Sequence, residues 1–334
     1  MLTANEKQIG QDILNEIKQA ENILLHLHPN PDPDSIGSAL AIAEVCLGLG
    51  KKVTIISGDS PLPESLSFLP GFNDIKVVTW AELDLTPFDL LIAGDSGSPE
   101  MVSRQIDVTK TDGLKIVVID HHETNSLYGH INLVVKAPAT AQILFDLFSL
   151  WPVDITPNVA VNLFVALYAD TGGFKYDYID SHTFVAASQL LEINHKVLLA
   201  VRTMQMQATP GSLTYKALAY ANISTCAGDK AALTTISLNE LEAKNISKRD
   251  TENVSLSNDM LAVSIWQVVA ILTETEDGGV KISLRSKDAT LCDVSKIANV
   301  FGGGGHKAAA GAKLMLTLEE AKEKVITEIE KYLQ

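Results

Sequence analysis

The chain has 334 residues, enough for two domains, and its 46% hydrophobic and 20% charged composition is that of a globular rather than a disordered protein. Its formal net charge of -15 argues against long duplex nucleic acid as a partner, because such binding needs many Lys and Arg contacts to phosphates, but it allows a small phosphorylated substrate. The longest apolar run, residues 265–273, is interrupted by Gln267 and is too short to span a membrane, so no membrane partner is expected.

The cysteines and the start of the chain indicate a cytoplasmic protein. Cys46, Cys226 and Cys292 are scattered and odd in number, which suits a reducing compartment and gives no sign of disulfides or of a thiolate zinc site. Residues 1–7 lack the basic start and apolar core of a signal peptide.

Strand and helix signals alternate along the first half of the chain. Apolar runs predict strands over residues 22–28, 52–57, 75–79, 88–94 and 115–120. Apolar spacing predicts a helix over residues 35–49, and an early proline favours another over 99–105. Further helices are predicted over residues 139–150, 158–168 and 181–191. The alternation predicts a doubly wound, mostly parallel α/β sheet.

The second half differs from the first in its pattern, and residues 194–212 are the predicted linker between domains 1–193 and 213–334. This stretch contains Thr209-Pro210-Gly211, which is a turn signal. In the second domain, strands are predicted over residues 231–237, 263–274 and 280–285, and helices over 293–300 and 319–333. The turn Asp277-Gly278-Gly279 predicts a hairpin between the last two strands.

Four segments of the first half place acidic residues or histidines where a strand or helix ends. They are HLHPNPDPDS at 26–35, GDSGS at 94–98, DHH at 120–122 and YADTGGF at 168–174. In open α/β sheets ligands bind at the carboxyl ends of the strands, so these loops are expected to meet. The prolines of the first segment hold an extended loop in which His28, Asp32 and Asp34 can converge.

Convergence of these loops would bring five carboxylates together: Asp32, Asp34, Asp95, Asp120 and Asp170. Their mutual repulsion would raise their pKa values or force the site apart, and two divalent cations would nearly cancel the charge. Oxygen ligands with some imidazole and no thiolate favour Mn²⁺, with Mg²⁺ as the second choice. Two such ions can activate water and clamp a phosphoryl group.

Each motif taken singly also has a purely structural interpretation. Asp34 could cap the helix that begins at Ser35, Asp95 could start a turn, and the adjacent histidines could be a hydrogen-bonded surface pair. The four motifs together, each at the end of an element, favour the metal centre.

With these motifs the chain resembles the DHH/DHHA1 phosphoesterase family, and within it the NrnA-like nanoRNase and pAp-phosphatase type. The matching stretches are HLHPNPDPDSIGSAL, AGDSGS, VVIDHHETN, ALYADTGGF, KISLRSK and FGGGGHKAAAG, spread over nearly the whole chain. The resemblance implies a catalytic DHH domain, a smaller C-terminal α/β DHHA1 domain with a mixed sheet, and an active-site cleft between them.

The resemblance also implies roles for single residues of the first domain. The metal ligands would be His28, Asp32 and Asp95 for one ion, and Asp34, bridging Asp95, His121 and Asp170 for the other. Asp120 and His122 would be catalytic: Asp120 would orient His121 or a neighbouring ligand, and His122 would contact the scissile phosphate.

In the second domain the resemblance implies capture of the nucleotide or phosphate end of the substrate. The predicted residues are Arg285, Ser286, Gly302, Gly303, Gly304, Gly305 and His306. The glycines can bring backbone N–H groups close to an anion, and arginine can grip a phosphate with two hydrogen bonds. The roles of His26 and Arg202 stay open between support of the site and ordinary packing or capping.

The implied activity is hydrolysis of short oligoribonucleotides to mononucleotides, and of pAp to AMP and phosphate. A linear or cyclic dinucleotide phosphodiesterase is the first alternative. A non-catalytic nucleotide-binding regulator is the second, although the full implied ligand set is present. A manganese pyrophosphatase or a RecJ-type exonuclease fits less well, because the first lacks the glycine-rich segment and the second carries further domains. A homodimer is a further expectation.

Overall fold

The computed structural model describes residues 1–176, 178–251 and 254–333. These residues divide into two compact units, Met1–Gln207 and Ala208–Gln334. The division lies inside the predicted linker 194–212, but most of that stretch belongs to the first unit. Its helix α7 (Lys196–Gln205) has apolar residues at helical spacing, and Val197, Ala200 and Val201 are buried in the first unit's core.

The first unit alternates strands and helices before it becomes wholly helical. Its elements are α1 (Ala4–Gln19), β1 (Asn22–His26), α2 (Pro33–Gly48), β2 (Lys52–Ile56), β3 (Leu90–Gly94), α3 (Pro99–Val102), β4 (Lys115–Asp120), β5 (Ile131–Val134), α4 (Thr140–Leu150), α5 (Pro157–Asp170), α6 (Ser181–Ile193) and α7.

Within the described ranges, the sheet of the first unit has five parallel strands in the order β2-β1-β3-β4-β5. The chain leaves β1 toward β2 on one side and returns to β3 on the other. The order of the strands therefore reverses between β1 and β3, and loops beyond the carboxyl ends of strands at such a point form a ligand crevice.

Both faces of this sheet are covered, as a doubly wound fold requires. Successive side chains point to opposite faces, so Leu24 and Leu91 enter one core while Leu25 and Ile92 enter the other. Helices α2, α4 and α5 contribute buried residues to the larger of these cores.

Two sequence predictions for the first unit were wrong. Residues 75–79 form no strand and make only an isolated bridge from Lys76 to Ile56; Ile75 is buried, but Val77 is 77% exposed. The helix predicted over 99–105 ends at Val102. The short strand β5 and the helix α1 were not predicted.

The second unit is a smaller α/β unit. Its elements are α8 (Pro210–Ala221), β6 (Ile223–Cys226), β7 (Ala231–Ile236), α9 (Leu238–Ala243), α10 (Lys248–Thr251), α11 (Leu256–Leu261), β8 (Val268–Glu274), β9 (Val280–Ser286), α12 (Val294–Val300), β10 (Gly304–His306), β11 (Ala309–Leu314) and α13 (Leu318–Leu333).

The sheet of the second unit is mixed. Its six strands, counted over the described residues, run in the order β10-β11-β9-β8-β7-β6, with β7 and β8 parallel and the other pairs antiparallel. The hairpin predicted at residues 277–279 joins β8 to β9. One face packs on α12 and α13. The predicted α/β class, with a parallel sheet followed by a mixed sheet, is confirmed.

None of the described helices by itself combines the length and the apolar composition that crossing a membrane requires. Helices α6 and α7 reach that length and composition only as a pair, bent by 110°.

Candidate metal centre

The ends of four elements bring the six predicted metal ligands together. Strands β1, β3 and β4 and helix α5 lead directly into, or end on, the segments that carry them. Among the described residues, ligand atoms lie within 4.8 Å of one another in three groups: His28, Asp32 and Asp95; Asp34, His121 and Asp170; and Asp95, His121 and His122. The first two groups contain all six predicted ligands.

Asp95 lies at the centre of the cluster and is almost fully buried. One of its carboxylate oxygens is 3.4 Å from His28 Nε2, and the other is 3.4 Å from His121 Nε2. Its φ of +52° is a left-handed conformation, which Asp tolerates better than most residues. The two oxygens of Asp95 therefore face two different groups of ligands, as a bridging carboxylate would.

Both ligand histidines are oriented in the same way. The Nδ1–H of His28 donates to the carbonyl of Pro29 at 3.1 Å, and that of His121 donates to the carbonyl of Ala137 at 3.2 Å. These bonds leave each Nε2 toward the carboxylates, with His121 Nε2 also 3.5 Å from Asp170. Metal-binding histidines commonly hold their second nitrogen in this manner.

The carboxylates of Asp32 and Asp34 are held by helix N-termini. Asp32, rather than Asp34, caps α2: its Oδ1 accepts from the backbone N–H groups of Asp34 and Ser35, both at 3.0 Å. The buried Asp34 instead accepts from the N–H groups of Thr140 and Ala141, at 2.7 and 3.0 Å, at the start of α4. Both carboxylates are thus fixed in place without any ligand.

Asp120 orients His122 and not His121. Its Oδ1 accepts from His122 Nδ1 at 2.7 Å, and its Oδ2 accepts from Asn125 Nδ2 at 2.6 Å. Because Nδ1 of His122 is engaged in this way, its Nε2 is the nitrogen that can reach a metal ion or a substrate. Sequence reasoning missed Asn125, although it stands in the quoted stretch VVIDHHETN.

The histidines carry positive charge in the absence of a cation. Burial disfavours the imidazolium of His28, but hydrogen bonds to Asp32 and Asp95 outweigh it and raise the pKa to about 10. The pKa of His121 is likewise raised to about 10, by Asp95 in particular, against the effect of burial. In return, and despite its burial, Asp95 has a pKa below its usual range because both histidines donate to it.

Two other carboxylates of the cluster are hard to ionise. Burial and the charges of Asp95 and Asp170 raise the pKa of Asp34 well above its usual range. Burial and the neighbouring Asp32 and Asp95 raise the pKa of Asp170 to about 7. Bound cations would therefore stabilise the ionised carboxylates of the cluster. Its carboxylate oxygens and imidazole nitrogens are donors suited to Mn²⁺ or Mg²⁺.

Two predicted substrate-binding residues share a face of the second unit's sheet. Arg285 on β9 lies opposite Ala309 on β11, which lies opposite His306 on β10. Directly opposed residues point to the same side, so the small Ala309 separates the two basic side chains. His306 is exposed, and Arg285 is half-buried with Nη1 donating to the carbonyl of Leu284 at 3.2 Å.

The glycine run is explained first by packing. The N–H groups of Gly302 and Gly303 donate to carbonyls at the end of α12, at 3.0 and 2.9 Å, and are therefore already engaged within the fold. A Cβ on Gly303 would lie 2.1 Å from the carbonyl oxygen of Gly311, so glycine is needed there for β10 to approach β11. Ser286 is buried, and its hydroxyl donates to the carbonyl of Asp288 at 3.0 Å.

The local contacts of His26 and Arg202, the two residues with open roles, are as follows. His26 is buried against Trp80, with 5.9 Å between ring centroids, and neither of its ring nitrogens has a hydrogen-bond partner in the described part of the chain. Burial lowers its pKa to about 4, so it is neutral at pH 7. Arg202 lies on α7, where Nε contacts Met206 Sδ at 3.3 Å.

The amino-acid sequence of this chain is similar to those of several known proteins. Residues 22–168 match the DHH family, N-terminal domain, and residues 241–334 match the DHHA1 domain. The bifunctional oligoribonuclease and PAP phosphatase NrnA of Thermus thermophilus is 31% identical over 96% of this chain and 93% of its own length. The probable NrnA of Streptococcus mutans is 27% identical over 90% and 92%, respectively.

Two more distant comparisons bear on activity and fold. The cyclic-di-AMP phosphodiesterase GdpP of Bacillus subtilis is 24% identical over 95% of this chain but over only 49% of its own length. The crystal structure of an exopolyphosphatase-related protein from Bacteroides fragilis, 23% identical, covers 98% of this chain and 96% of that chain with a TM-score of 0.87. The second comparison supports the fold alone.

Proposed function

Because the chain belongs to the DHH/DHHA1 phosphoesterase family, we propose that it hydrolyses short oligoribonucleotides to mononucleotides and pAp to AMP and phosphate. It is a hydrolase of phosphoester bonds. The observation that carries the proposal is Asp95, whose two oxygens each face the Nε2 of a different ligand histidine at 3.4 Å. The substrates are those in the names of the NrnA relatives.

We propose two metal sites from these ligand groups. His28 and Asp32 would hold one ion and Asp34, His121 and Asp170 the other, with Asp95 shared between them. Two divalent ions held in this way supply an activated water and offset the negative charge of the phosphoryl oxygens. We propose Mn²⁺, because imidazole ligands suit it better than Mg²⁺.

His122 is the proposed contact to the reacting phosphate. The hydrogen bond to Asp120 raises the pKa of His122, against the effect of burial, so its Nε2 carries a proton at neutral pH more often than a free histidine would. That proton can be donated to a phosphoryl oxygen or to the leaving group. Asp120, fixed by Asn125, holds the ring in place for this.

The second unit is proposed to bind the part of the substrate away from the scissile bond. Arg285 and His306 present donors on one sheet face, and arginine can grip a phosphate with two hydrogen bonds. Binding energy gained there would position the reacting phosphate. The free thiols of Cys46, Cys226 and Cys292 suit a reducing compartment, and we propose the cytoplasm as the site of action.

A dinucleotide phosphodiesterase is the second candidate function. The similarity to GdpP extends over 95% of this chain, so the same two domains occur in an enzyme named for cyclic di-AMP. A linear dinucleotide is also the shortest oligoribonucleotide, so both proposed activities include its hydrolysis. Only a cyclic substrate distinguishes the dinucleotide phosphodiesterase from the oligoribonuclease.

The test is a substrate panel with purified protein in Mn²⁺ or Mg²⁺. The panel contains pAp, pyrophosphate, linear and cyclic dinucleotides, and RNAs of graded length, with the His121→Ala variant as the control. We expect the protein to hydrolyse pAp and linear dinucleotides. The rate of hydrolysis should fall as the RNA becomes longer, and the variant should be inactive. Hydrolysis of pyrophosphate alone, or equal rates in wild type and variant, would overturn the proposal, and a strong preference for cyclic dinucleotides would favour the second candidate.

A further inference from the structure

Two exposed tyrosines stand in the segment that follows the metal-ligand residue Asp170. Tyr176 is 47% exposed and Tyr178 is 55% exposed. Their ring centroids are 5.5 Å apart with planes inclined at 42°, so the two rings lie next to each other. Aromatic side chains are usually buried to a greater extent, so two adjacent exposed rings indicate a ligand-binding surface.

The two rings are held in position although they are exposed. The hydroxyl of Tyr178 donates to the backbone carbonyl of Asp170 at 2.7 Å. The ring of Tyr176 packs so closely on Gly172 that a Cβ there would lie 2.6 Å from its Cζ. Gly172 also has a φ of +59°, so glycine is required by both space and backbone conformation. A surface fixed in this way loses little entropy when a flat ligand stacks on it.

A neighbouring aromatic residue shows the contrast with ordinary packing. Phe174 lies with its centroid 5.6 Å from Tyr168 and 5.5 Å from Phe184, and it packs against the core of the first unit. Tyr176 and Tyr178 are not part of that core. The segment therefore turns one aromatic side chain inward and presents two outward beside the metal centre.

We propose that Tyr176 and Tyr178 form a stacking surface for the nucleobase of the nucleotide whose phosphate occupies the metal centre. This inference rests on the proposed function. Stacking tolerates any base because every base has a flat π-face, which suits an enzyme that consumes RNA of any sequence. It also separates nucleotides from base-free phosphates, which the metal ligands by themselves cannot distinguish.

The test compares a substrate with and without its base. The pair is pAp and ribose 3′,5′-bisphosphate, assayed with wild type, Tyr176→Ala and Tyr178→Ala. Removal of one aromatic partner is expected to lower the ratio of kcat/KM for pAp over the base-free compound by about 5- to 150-fold. The matched control is Tyr220→Ala, which removes an exposed tyrosine of the second unit, 39% exposed, that bonds to Asp259.

Conservative variants and a binding measurement separate stacking from support of the metal site. Tyr178→Phe loses the hydrogen bond to Asp170 but keeps the ring, and Tyr176→Phe keeps the ring on Gly172. Both are expected to recover most of the lost ratio. Calorimetric titration with a non-hydrolysable pAp analogue should show the same order of affinities, with Mn²⁺ content unchanged.

Three outcomes decide the matter. Alanine variants that lose activity equally on both substrates would show a structural role, and variants with an unchanged ratio would show no role; either overturns the inference while the proposed function stands. A wild-type protein that neither binds nor hydrolyses nucleotides would overturn both.

Discussion

In the first unit the carboxylates of Asp32, Asp34 and Asp95 accept hydrogen bonds from neighbouring groups, whereas in the second unit Arg285 and His306 lie on an accessible strand face. Asp34, for example, is fully buried and accepts two backbone N–H groups of α4, at 2.7 and 3.0 Å. Arg285 has a single bond to its neighbour's carbonyl, and His306 is exposed. One region is organised before the substrate arrives, and the other leaves its donors available.

This difference separates chemistry from affinity. A preorganised cluster of charges stabilises charge that develops in the transition state, so its residues should govern kcat. Accessible donors that bind a remote phosphate in the ground state and in the transition state alike should govern KM. The predictions below test that separation, beginning with the largest expected effect.

Asp95→Asn should produce the greatest loss, because it removes the charge that both ligand groups share. We expect kcat for pAp to fall by at least about a thousandfold, with loss of bound Mn²⁺. Steady-state kinetics and metal analysis of the purified variant measure the two effects. Asp107→Asn, at an exposed carboxylate paired with Lys110, is the matched control. Retention of both metal and rate would mean that Asp95 is not the bridging group.

His122→Ala should lower kcat by about a hundredfold or more while Mn²⁺ stays bound, since general-acid contacts commonly contribute about 10²–10⁴. The chemical step is measured in single turnover, with metal content determined on the same sample. A variant with weaker substrate binding but an unchanged chemical step would contradict the proposed role of His122. It would also mean that a residue of the first unit governs KM rather than kcat.

Arg285→Ala should raise KM by about 10- to 150-fold with little change in kcat, because loss of one charge-assisted hydrogen bond costs about 1.5–3 kcal/mol. Steady-state assays with pAp and a linear dinucleotide measure the split. Lys281→Ala is the matched control, because Lys281 lies on the same strand and the same sheet face. A fall in kcat at unchanged KM would contradict the claim that the second unit governs substrate affinity rather than the chemical step.

The metal-free protein should lose stability as the pH rises, which is the smallest predicted effect. The folded pKa values of His28 and His121 are raised from 6.5 to about 10, so their stabilising ion pairs are complete below pH 6.5 and are lost toward pH 10. The pKa of Asp170, raised from 3.8 to about 7, adds a loss of the same sign at lower pH. Each kcal/mol lost should lower Tm by roughly 2–4 °C.

Mn²⁺ should reduce this pH dependence, because the cations replace the protons that balance the carboxylates. Tm measured by calorimetry between pH 6.5 and 10, with Mn²⁺ and with chelator, tests the sign. A metal-free Tm that rises with pH over this window would contradict the charge balance described for the cluster.

The convergence of the metal ligands could be predicted because its signals are local. The apolar runs of β1, β3 and β4 show where the strands end, and residues that follow the ends of neighbouring parallel strands meet. The start of α2 is less well predicted, because the sequence offers Asp34 as the cap whereas the structure has Asp32 there. The partner of Asp34 could not be predicted, because Thr140 lies 106 residues away and only the packing of α2 on α4 brings them together.

The second unit was harder to predict because its glycines serve packing. The close approach of Gly303 to the backbone of Gly311 depends on the pairing of β10 with β11, whereas a glycine run by itself predicts an anion cradle. The failed strand over 75–79 has a similar cause: apolar residues mark a strand only where a surface covers them, and Val77 is exposed. Helix α7 falls within the predicted linker because the turn signal Thr209-Pro210-Gly211 follows it closely, although Val197, Ala200 and Val201 are buried.

The central claim is that this cluster holds two cations that act together on a phosphoester. Metal-free protein would be titrated with Mn²⁺ while bound ion and the initial rate of pAp hydrolysis are measured in the same samples. We predict two ions per chain, with the rate following occupancy of the second. Full activity with one ion per chain, or hydrolysis without bound ions, would contradict the account.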